Sequence, residues 1–378
     1  MTMRNVNDCN LYSREAIAGN DDLLAEILLR LPAKHLIRFK CVSKRWCFLI
    51  SAPNFCRRHT VRHSNSVVSG FFLRRTPGRG PPDFEFVSLS GNHSSPFTSL
   101  DFVHDPAGIK ILNSCNGLLL CSSFRKMGTP RKFYVFNPTT KQFLVLPDVG
   151  LENPATILGV NLAFDPSKSP NYRVICVCTT VESLYYYQIM IYSSENRAWR
   201  VSGSPFTAPN DTDFDKGVYW NGTIHWFSPF GGLLCFDVSQ ECLRKIPNIR
   251  NFSDYLGVSC GRLHRIEVYG RRNTQIKVFE MESDYSGWFL KHQVDVEELT
   301  VAYPDMVRMR SYAFILLGLV QDDSSLFLHI PGKVISYSFQ DKTFEIKKSF
   351  ELLPGQKLHF LQFGWYDAYE YIETLACV

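Results

Sequence analysis

The sequence of 378 residues lacks any long hydrophobic run. Its longest strongly apolar stretch, residues 313–320, is far shorter than the roughly 20 residues that a helix needs to cross a bilayer. The first 20 residues are polar and lack the apolar core of a secretory signal. We therefore expect no membrane association, and we expect the protein to be located in the cytoplasm, the nucleus or both.

The sequence also lacks paired cysteines. It has 12 cysteines but no Cys-x-x-Cys pair, and 12 are too few for a disulfide framework in a chain of this length without a signal peptide. Cys176 and Cys178 would share one face of a strand, but no second pair and no histidine cluster joins them. We interpret these thiols as buried packing residues in a reducing compartment, in preference to a metal or redox role.

Recognisable catalytic motifs are scarce. The sequence contains no HExxH, P-loop or GxGxxG motif, and its carboxylates are too scattered to indicate an acid–base pair. Residues 257–261 fit the G-x-S-x-G string of hydrolases, but the RLHRIEVYG that follows predicts a strand where that chemistry requires a helix. His225 stands alone in a predicted strand, which favours a packed or hydrogen-bonded imidazole. We therefore expect neither catalysis nor a cofactor.

The positive charge belongs to the N-terminal part of the chain. The whole sequence has a net charge of +5, and residues 1–63 alone contain 11 Lys and Arg against 5 Asp and Glu, a net charge of +6. The remaining 315 residues therefore have a net charge of −1. Because the larger part carries no basic excess, we expect no nucleic-acid partner.

A short segment of amphipathic helices begins near Asn20. Asn20 is a suitable N-cap, and acidic residues follow it at the start of the first helix, where negative charge is favourable. Pro32 ends this helix, and a second short helix follows. Ser43 can cap a third helix, which Pro53 stops.

This segment is too apolar for its size. Two adjacent Leu/Ile stripes run along the first helix, and bulky apolar side chains follow in the next two helices. Three helices in about 35 residues cannot bury all these side chains among themselves. The remaining apolar surface must contact either the rest of this chain or a separate protein, and periodicity alone leaves both alternatives open.

The string DLLAEILLRLPAKHLIRFKCVSKRWCFLIS resembles an F-box, the module by which substrate receptors bind the Skp-type adaptor of a cullin-RING ubiquitin ligase. Its pieces EILLRLP, LIRFKCVSKRW and LISAPNF have the order and spacing seen in plant F-box proteins. The resemblance implies an adaptor-binding set of seven residues: Leu23, Ile27, Leu31, Pro32, Val42, Lys44 and Trp46. It assigns Leu36, Phe39 and Leu49 to the contacts between the helices.

The sequence departs from the F-box pattern at one place. Many members have Leu-Pro before the acidic pair, whereas this chain has Gly19-Asn20, a change that concerns the first adaptor anchor rather than the fold. The local charge of +6 fits the resemblance, since the adaptors are acidic and opposite charge accelerates association.

After residue 66 the pattern changes to period-two strands separated by turns. A phrase of apolar strand, polar turn and second strand occurs six times: at residues 84–92, 134–147, 189–203, 233–247, 276–292 and 334–348. The aromatic residues that precede five of these turns are 43 to 58 residues apart. Repeats of this length are typical of propeller blades, so we predict an all-β propeller of about six blades. An irregular β-sandwich is the alternative.

Five stretches, two of which lie within the strand phrases above, resemble the F-box-associated domain of plants, which is propeller-like and related to kelch repeats. They follow the family's order over roughly residues 110–290: SCNGLLLC, FNPTTKQFLVLP, FDPSKSPNYRVICV, VYWNGTIHWF and LLCFDVSQECLRKIP. Two loops are candidate contacts for a target protein, the basic loop 74–83 and the acidic loop 204–216, with a plain connection between strands as the alternative. The target-binding residues themselves are not defined by the sequence.

Together these observations predict an α+β protein in three parts. Residues 1–19 are a flexible N-terminus, residues 20–60 a small three-helix F-box, and residues 66–378 an F-box-associated propeller-like domain. The resemblances imply a non-catalytic receptor that binds a Skp-type adaptor, and through it a cullin-RING ligase, and presents a protein substrate for ubiquitination. A scaffold outside any ligase is the first alternative, and a propeller enzyme is the second.

Overall fold

The computed structural model describes most of the chain after residue 19. The described residues are 20–64, 67–74, 84–89, 95–97, 99–105, 108–124, 131–151, 156–181, 183, 185–229, 232–246, 255–269, 275–304, 307–308, 311–312, 315–320, 324–350 and 368–378. The predicted flexible segment 1–19 lies outside these ranges. None of the described helices is long and apolar enough to cross a membrane.

Four short helices form the N-terminal part: α1 (Asp21–Leu28), α2 (Ala33–Phe39), α3 (Lys44–Ser51) and α4 (Pro53–Arg62). The predicted caps are confirmed, because the side chains of Asn20 and Ser43 accept hydrogen bonds from backbone N–H groups in the first turns of α1 and α3. The prediction of three helices omitted α4. Pro53 ends α3 and also begins α4, since proline fits the first turn of a helix, where its missing N–H has no partner to lose.

Six antiparallel sheets follow and form the blades of a propeller. In chain order, the strands of blades 1 to 3 are β1 (Gly70–Arg74) and β2 (Phe84–Ser88); β3 (Ile109–Cys115), β4 (Leu118–Ser123), β5 (Phe133–Phe136) and β6 (Phe143–Val145); β7 (Ile157–Ala163), β8 (Arg173–Thr179), β9 (Tyr187–Ser193) and β10 (Ala198–Phe206). Those of blades 4 and 5 are β11 (Val218–Trp220), β12 (Thr223–Ser228), β13 (Gly232–Asp237) and β14 (Cys242–Ile246); β15 (Tyr255–Ser259), β16 (Arg262–Tyr269), β17 (Gln275–Met281) and β18 (Trp288–Asp295).

The remaining elements complete the ring. They are α5 (Glu297–Ala302); the two-stranded pair β19 (Val307–Arg308) and β20 (Ser311–Tyr312); blade 6 with β21 (Ile315–Val320), β22 (Ser325–Ile330), β23 (Lys333–Ser338) and β24 (Phe344–Ser349); and β25 (Ala368–Tyr371). The predicted propeller of about six blades is confirmed, and the β-sandwich alternative does not hold.

The last strand closes the ring. β25 pairs antiparallel with β1, with Phe71 opposite Glu370, so blade 1 combines the first and last strands of the propeller. The innermost strands β25, β3, β7, β11, β15 and β21 follow one another around a central channel of about 1070 Å³. Because the ring closes in this way, every blade has a neighbouring blade on both of its faces.

Tight turns join the first two strands of several blades. Three of these turns have two central residues with positive φ: Asn116-Gly117 (46° and 87°), Asn221-Gly222 (48° and 80°) and Cys260-Gly261 (48° and 72°). This is the geometry of a hairpin turn that matches the twist of the strands. Ser259 therefore ends β15 and β16 follows directly, which confirms a turn between blade strands instead of a nucleophile elbow.

Apolar side chains fill the spaces between neighbouring blades. Leu118, Leu120 and Val135 of blade 2, for example, pack against Val160 and Leu162 of blade 3. The thiols of Cys176 and Cys178 are buried in the same region, as the sequence indicated. Burial raises the pKa of the Cys178 thiol to about 11, so it is neutral at physiological pH.

Candidate functional site

Helix α1 buries one of its two adjacent apolar stripes and exposes the other. Leu24 and Leu28 are buried in the core of the helical module, defined here as residues 20–64. Leu23 is 49% exposed and Ile27 is 48% exposed. Because residues four apart lie on the same side of a helix, Leu23 and Ile27 form one continuous apolar strip on the outside.

The connection from α2 to α3 and helix α3 also expose large apolar side chains. Val42 is 61% exposed and Phe48, on α3, is 80% exposed. Trp46 is half-buried, and its ring packs edge-on against Phe39 at a centroid distance of 5.7 Å. We call Leu23, Ile27, Val42 and Phe48 the exposed apolar set. Leaving such large side chains in water is unfavourable, which is typical of a surface that another protein covers.

The seven residues of the predicted adaptor-binding set do not share one environment. Five of them are exposed: Leu23, Ile27, Pro32, Val42 and Lys44. Leu31 and Trp46 are half-buried against the module core, next to Phe39 and Leu49, and Leu36 is fully buried within it. Their contact with an adaptor stays a prediction. Phe48 is one of the bulky apolar side chains that the sequence predicts the helices cannot all bury, but the predicted adaptor-binding set does not include it.

Ion pairs fix the helices around this surface. The Nε of Arg45, at the start of α3, lies 2.8 Å from the Oδ1 of Asp21, at the start of α1. Arg58 of α4 pairs with Glu26 of α1. These pairs are exposed, so each contributes less than about 1 kcal/mol and serves mainly to orient the helices. Residues 20–64 retain nine Lys and Arg against three Asp and Glu, so the module is strongly basic.

Two histidines of the module pair with backbone carbonyl groups just after the end of α1. The Nε2 of His59 lies 2.8 Å from the carbonyl oxygen of Leu31, and the Nε2 of His63 lies 3.0 Å from that of Leu29. These carbonyl groups follow the last turn of α1, where no intrahelical N–H remains to pair with them. Burial lowers the pKa of His59 to about 4, so its ring is neutral at physiological pH and donates through Nε2.

The module core also receives a side chain from the far end of the sequence. Leu375, which follows β25, is 1% exposed and packs in the same cluster as Leu24, Leu28 and Leu36. The first of the two alternatives that periodicity left open, contact with the rest of this chain, therefore holds in part, and contact with a separate protein stays a prediction. The chain covers one portion of the module with its own Leu375 and leaves the exposed apolar set uncovered.

The propeller loops at the opposite end from the module include an exposed aromatic pair. The β7–β8 loop shares a cavity with α4, so it marks the module end, and the β8–β9 loop lies at the other end of the same antiparallel strands. Tyr185 and Tyr186 of the β8–β9 loop are both exposed. The signal was present in the sequence as three consecutive tyrosines, of which only Tyr187 is taken up by β9.

The two loops singled out in the sequence have different outcomes. Loop 74–83 lies outside the described residues apart from Arg74. In loop 204–216, Phe214 is buried and packs edge-on against Trp226 at a centroid distance of 5.4 Å. Asp211 accepts a 2.7 Å hydrogen bond from the hydroxyl of Ser228. These contacts fix the second half of the loop to blades 3 and 4, whereas its role in target binding stays untested.

The central channel mixes charges of both signs. Lys110, Lys216, Asp165 and Glu370 line it together with Tyr255. Burial raises the pKa of the Glu370 carboxyl to about 7. The described residues contain no group of three or more side chains suited to hold a metal ion. The mixture of charges indicates no single class of ligand.

His225 has the structural role that its isolation in the sequence favoured. It is fully buried, its Nδ1 lies 3.2 Å from the carbonyl oxygen of Val218, and its Nε2 lies 3.1 Å from the hydroxyl of Tyr285. The Tyr285 ring stacks on the imidazole at a centroid distance of 5.7 Å. Both ring nitrogens are therefore engaged within the propeller core.

Both parts of the chain match families of known proteins. Residues 20–58 match the family model of the F-box domain, and residues 81–342 match that of the F-box associated beta propeller domain. The F-box protein At5g07610 of Arabidopsis thaliana is 34% identical, over 97% of this chain and 94% of its own length. The F-box protein At5g49610 of the same plant is 25% identical, over 94% of this chain and 96% of its own length.

Proposed function

This chain belongs to the family of F-box proteins with an F-box-associated β-propeller, and we propose that it is the substrate-recognition subunit of a Skp–cullin–F-box ubiquitin ligase. In this proposal the helical module binds a Skp-type adaptor and the propeller binds a target protein. The adaptor contacts are the seven residues Leu23, Ile27, Leu31, Pro32, Val42, Lys44 and Trp46.

The observation that carries the proposal is the exposed apolar set on a basic module. A module of this size cannot bury these four side chains itself, and the one side chain that the propeller contributes to its core, Leu375, lies on a different surface. An acidic adaptor with an apolar groove would cover the set and complement the net charge of +6 on the module. Trp46 and Leu31, half-buried at the margin, would contribute the edge of the contact.

The proposed mechanism requires no chemistry from this chain. The adaptor connects the module to the cullin-RING subunits, and the propeller holds a target lysine near the ubiquitin-charged conjugating enzyme. The rate of transfer rises because the local concentration of the lysine rises. His225, the one histidine singled out as a possible base, is committed to hydrogen bonds with Val218 of blade 4 and Tyr285 of blade 5.

A scaffold function outside a ligase is the second candidate. The packing of Leu375 in the module core favours it, since the module is partly occupied by its own chain. A scaffold of this kind would not require the exposed apolar set to bind any adaptor. The two candidates therefore differ in what covers Leu23 and Ile27.

Adaptor binding by matched variants tests the proposal. Ile27→Asp with Val42→Asp places two charges on the exposed apolar set, and we expect the variant to lose at least about 30-fold in affinity for a purified Skp-type adaptor. Val201→Asp is the control, because Val201 is 58% exposed on β10 of the propeller and Val42 is 61% exposed. Equal adaptor affinity of the double variant and the control would refute the proposed docking surface.

A further inference from the structure

The segment after β25, residues 372–378, lies between the two parts of the molecule. Leu375 belongs to the core of the helical module, together with Leu36 and Ile50. Its neighbour Ala376 belongs to the core between blades 2 and 3. Consecutive residues of one short segment thus enter two different hydrophobic cores, so neither residue can leave its place without uncovering apolar surface.

A buried amide fixes the backbone of this segment to blade 2. The Nδ2 of Asn137 donates to the carbonyl oxygens of Thr374, at 3.2 Å, and Ala376, at 2.8 Å. The Oδ1 of the same amide accepts from the N–H groups of Thr139 and Thr140 in its own turn, which fixes the orientation of the side chain. Asn137 is fully buried, so the loss of either donor would leave a carbonyl group without a partner.

Direct packing between the helices and the blades is sparse. A cavity of about 560 Å³ lies between α4 and the β7–β8 loop, and Pro53, Val61 and Pro166 are among its lining residues. Within the described part of the chain, none of α1–α4 packs extensively against a strand. The covalent link from α4 to β1 is the short stretch 63–69. The segment 372–378 is therefore a non-covalent connection between the helical module and the propeller, formed by Leu375 on one side and Ala376 on the other.

We propose that residues 372–378 are a positioning element that fixes the orientation of the helical module relative to the propeller, with Leu375 and Asn137 as its positioning residues. This inference rests on the proposed function, in which the module carries the ligase and the propeller carries the target. If the segment is released, the module turns about the 63–69 link. The local concentration of a bound lysine at the conjugating enzyme then falls, although each binding surface stays intact.

The sharpest variant is Asn137→Asp. Aspartate keeps the oxygen that accepts from Thr139 and Thr140 and replaces the amide donor with an oxygen that repels the carbonyl groups of Thr374 and Ala376. Asn221→Asp is the control for the change of amide to carboxylate, because Asn221 is exposed in a two-residue turn of blade 4. Leu375→Ala tests the apolar contact, and Leu375→Met, which conserves volume, should restore it.

The native thiols report whether the segment is released. Cys56 of α4 is buried and contacts Cys377, whereas Cys121 and Cys235 are buried in blades 2 and 4. In Asn137→Asp and Leu375→Ala we expect iodoacetamide to modify Cys56 at least about tenfold faster than in the wild type. Modification of Cys121 and Cys235 should stay unchanged. Equal acceleration at all three thiols would indicate general unfolding and would overturn the positioning role.

Ubiquitin transfer provides the functional readout. An epitope inserted between Tyr185 and Tyr186 would bind a lysine-bearing antibody fragment as a surrogate target, in a ligase reconstituted with adaptor, cullin, RING subunit and conjugating enzyme. We expect Asn137→Asp and Leu375→Ala to slow single-turnover transfer about tenfold while adaptor and fragment affinities stay within about twofold, and Leu375→Met and Asn221→Asp to behave as the wild type. Unchanged transfer in the first two variants would overturn the inference. Loss of adaptor binding in the wild type would instead overturn the proposed function.

Discussion

For its size, the helical module exposes more large apolar side chains than the propeller does: five among residues 20–64, against eleven among the described residues from 67 onwards. Phe48 of the module is almost fully in water, whereas Phe71 and Phe72 of the first propeller strand are fully buried. Residues 1–63 have a net charge of +6 and the rest of the chain −1. A ring of repeated sheets can bury its apolar residues against its own neighbours, and a four-helix segment cannot. This difference supports the proposal that another protein covers the exposed apolar set of the module.

Truncation of a buried leucine should produce the largest difference between the module and the propeller. Leu36→Ala in α2 and Leu120→Ala in β4 each remove a fully buried side chain, at a cost of about 3 kcal/mol. Because the module is small, we expect Leu36→Ala to abolish its protection from hydrogen exchange, whereas Leu120→Ala leaves the ring folded. Mass-spectrometric exchange of both variants measures this difference, and equal loss of protection in module and ring would contradict it.

The next largest effect is expected at acidic pH, where protonation of His59 should destabilise the helical module. Burial lowers the pKa of His59 to about 4, below its unfolded value of about 6.5, so its neutral form stabilises the fold above pH 6.5 and this contribution is lost as pH falls towards 4. Protonation of His59 should therefore lower the free energy of unfolding by about 2–3 kcal/mol. We expect exchange in α1 and α4 to accelerate between pH 6.5 and 4 in the wild type.

The matched variant for this acid effect is His59→Gln. A glutamine can donate to the Leu31 carbonyl oxygen without titrating, so the acceleration in α1 and α4 should be weaker. His225, whose pKa is also lowered to about 4 by burial, remains as an internal reference for the propeller. An identical pH profile for the wild type and the variant would exclude His59 as the titrating group.

A smaller effect of opposite sign is expected from Glu370 in the channel. Burial raises its pKa to about 7, above the unfolded value of about 4.3, so the folded state prefers the protonated carboxyl and stability falls as pH rises from about 4.3 through 7. The channel admits water, which reduces the effect to about 1–2 kcal/mol. Glu370→Gln should therefore stabilise the propeller at pH 8 and have little effect at pH 4.5. Urea denaturation at both pH values tests this, and stabilisation of equal size at both would contradict it.

The sequence predicted the blade number of the propeller correctly but only three of the four helices of the module. The six recurring strand phrases gave the blade number, because each blade repeats the same alternation of buried and exposed residues. Asn20 and Ser43 gave the helix starts, because a side-chain cap is a local contact. Helix α4 was missed, since Pro53 was interpreted only as the end of α3, although proline is also favoured at the first position of a helix.

The candidate site was predictable only where it depends on local periodicity. Leu23 and Ile27 follow from the spacing of α1. Leu375 could not be found in this way, because it lies more than 300 residues from its partners and the sequence ETLACV has no periodic pattern. The exposed Tyr185 and Tyr186 depend on where β9 begins, and strand boundaries are poorly defined by an unbroken run of tyrosines.

The most direct test of the account is the hydrogen-exchange footprint of a Skp-type adaptor on the wild-type chain. We expect slower hydrogen exchange in α1 and in the connection from α2 to α3 when saturating adaptor is added, with no change in the propeller blades. Slower exchange confined to the blades, or no change anywhere at saturation, would contradict the claim that the exposed apolar set is the surface the adaptor covers.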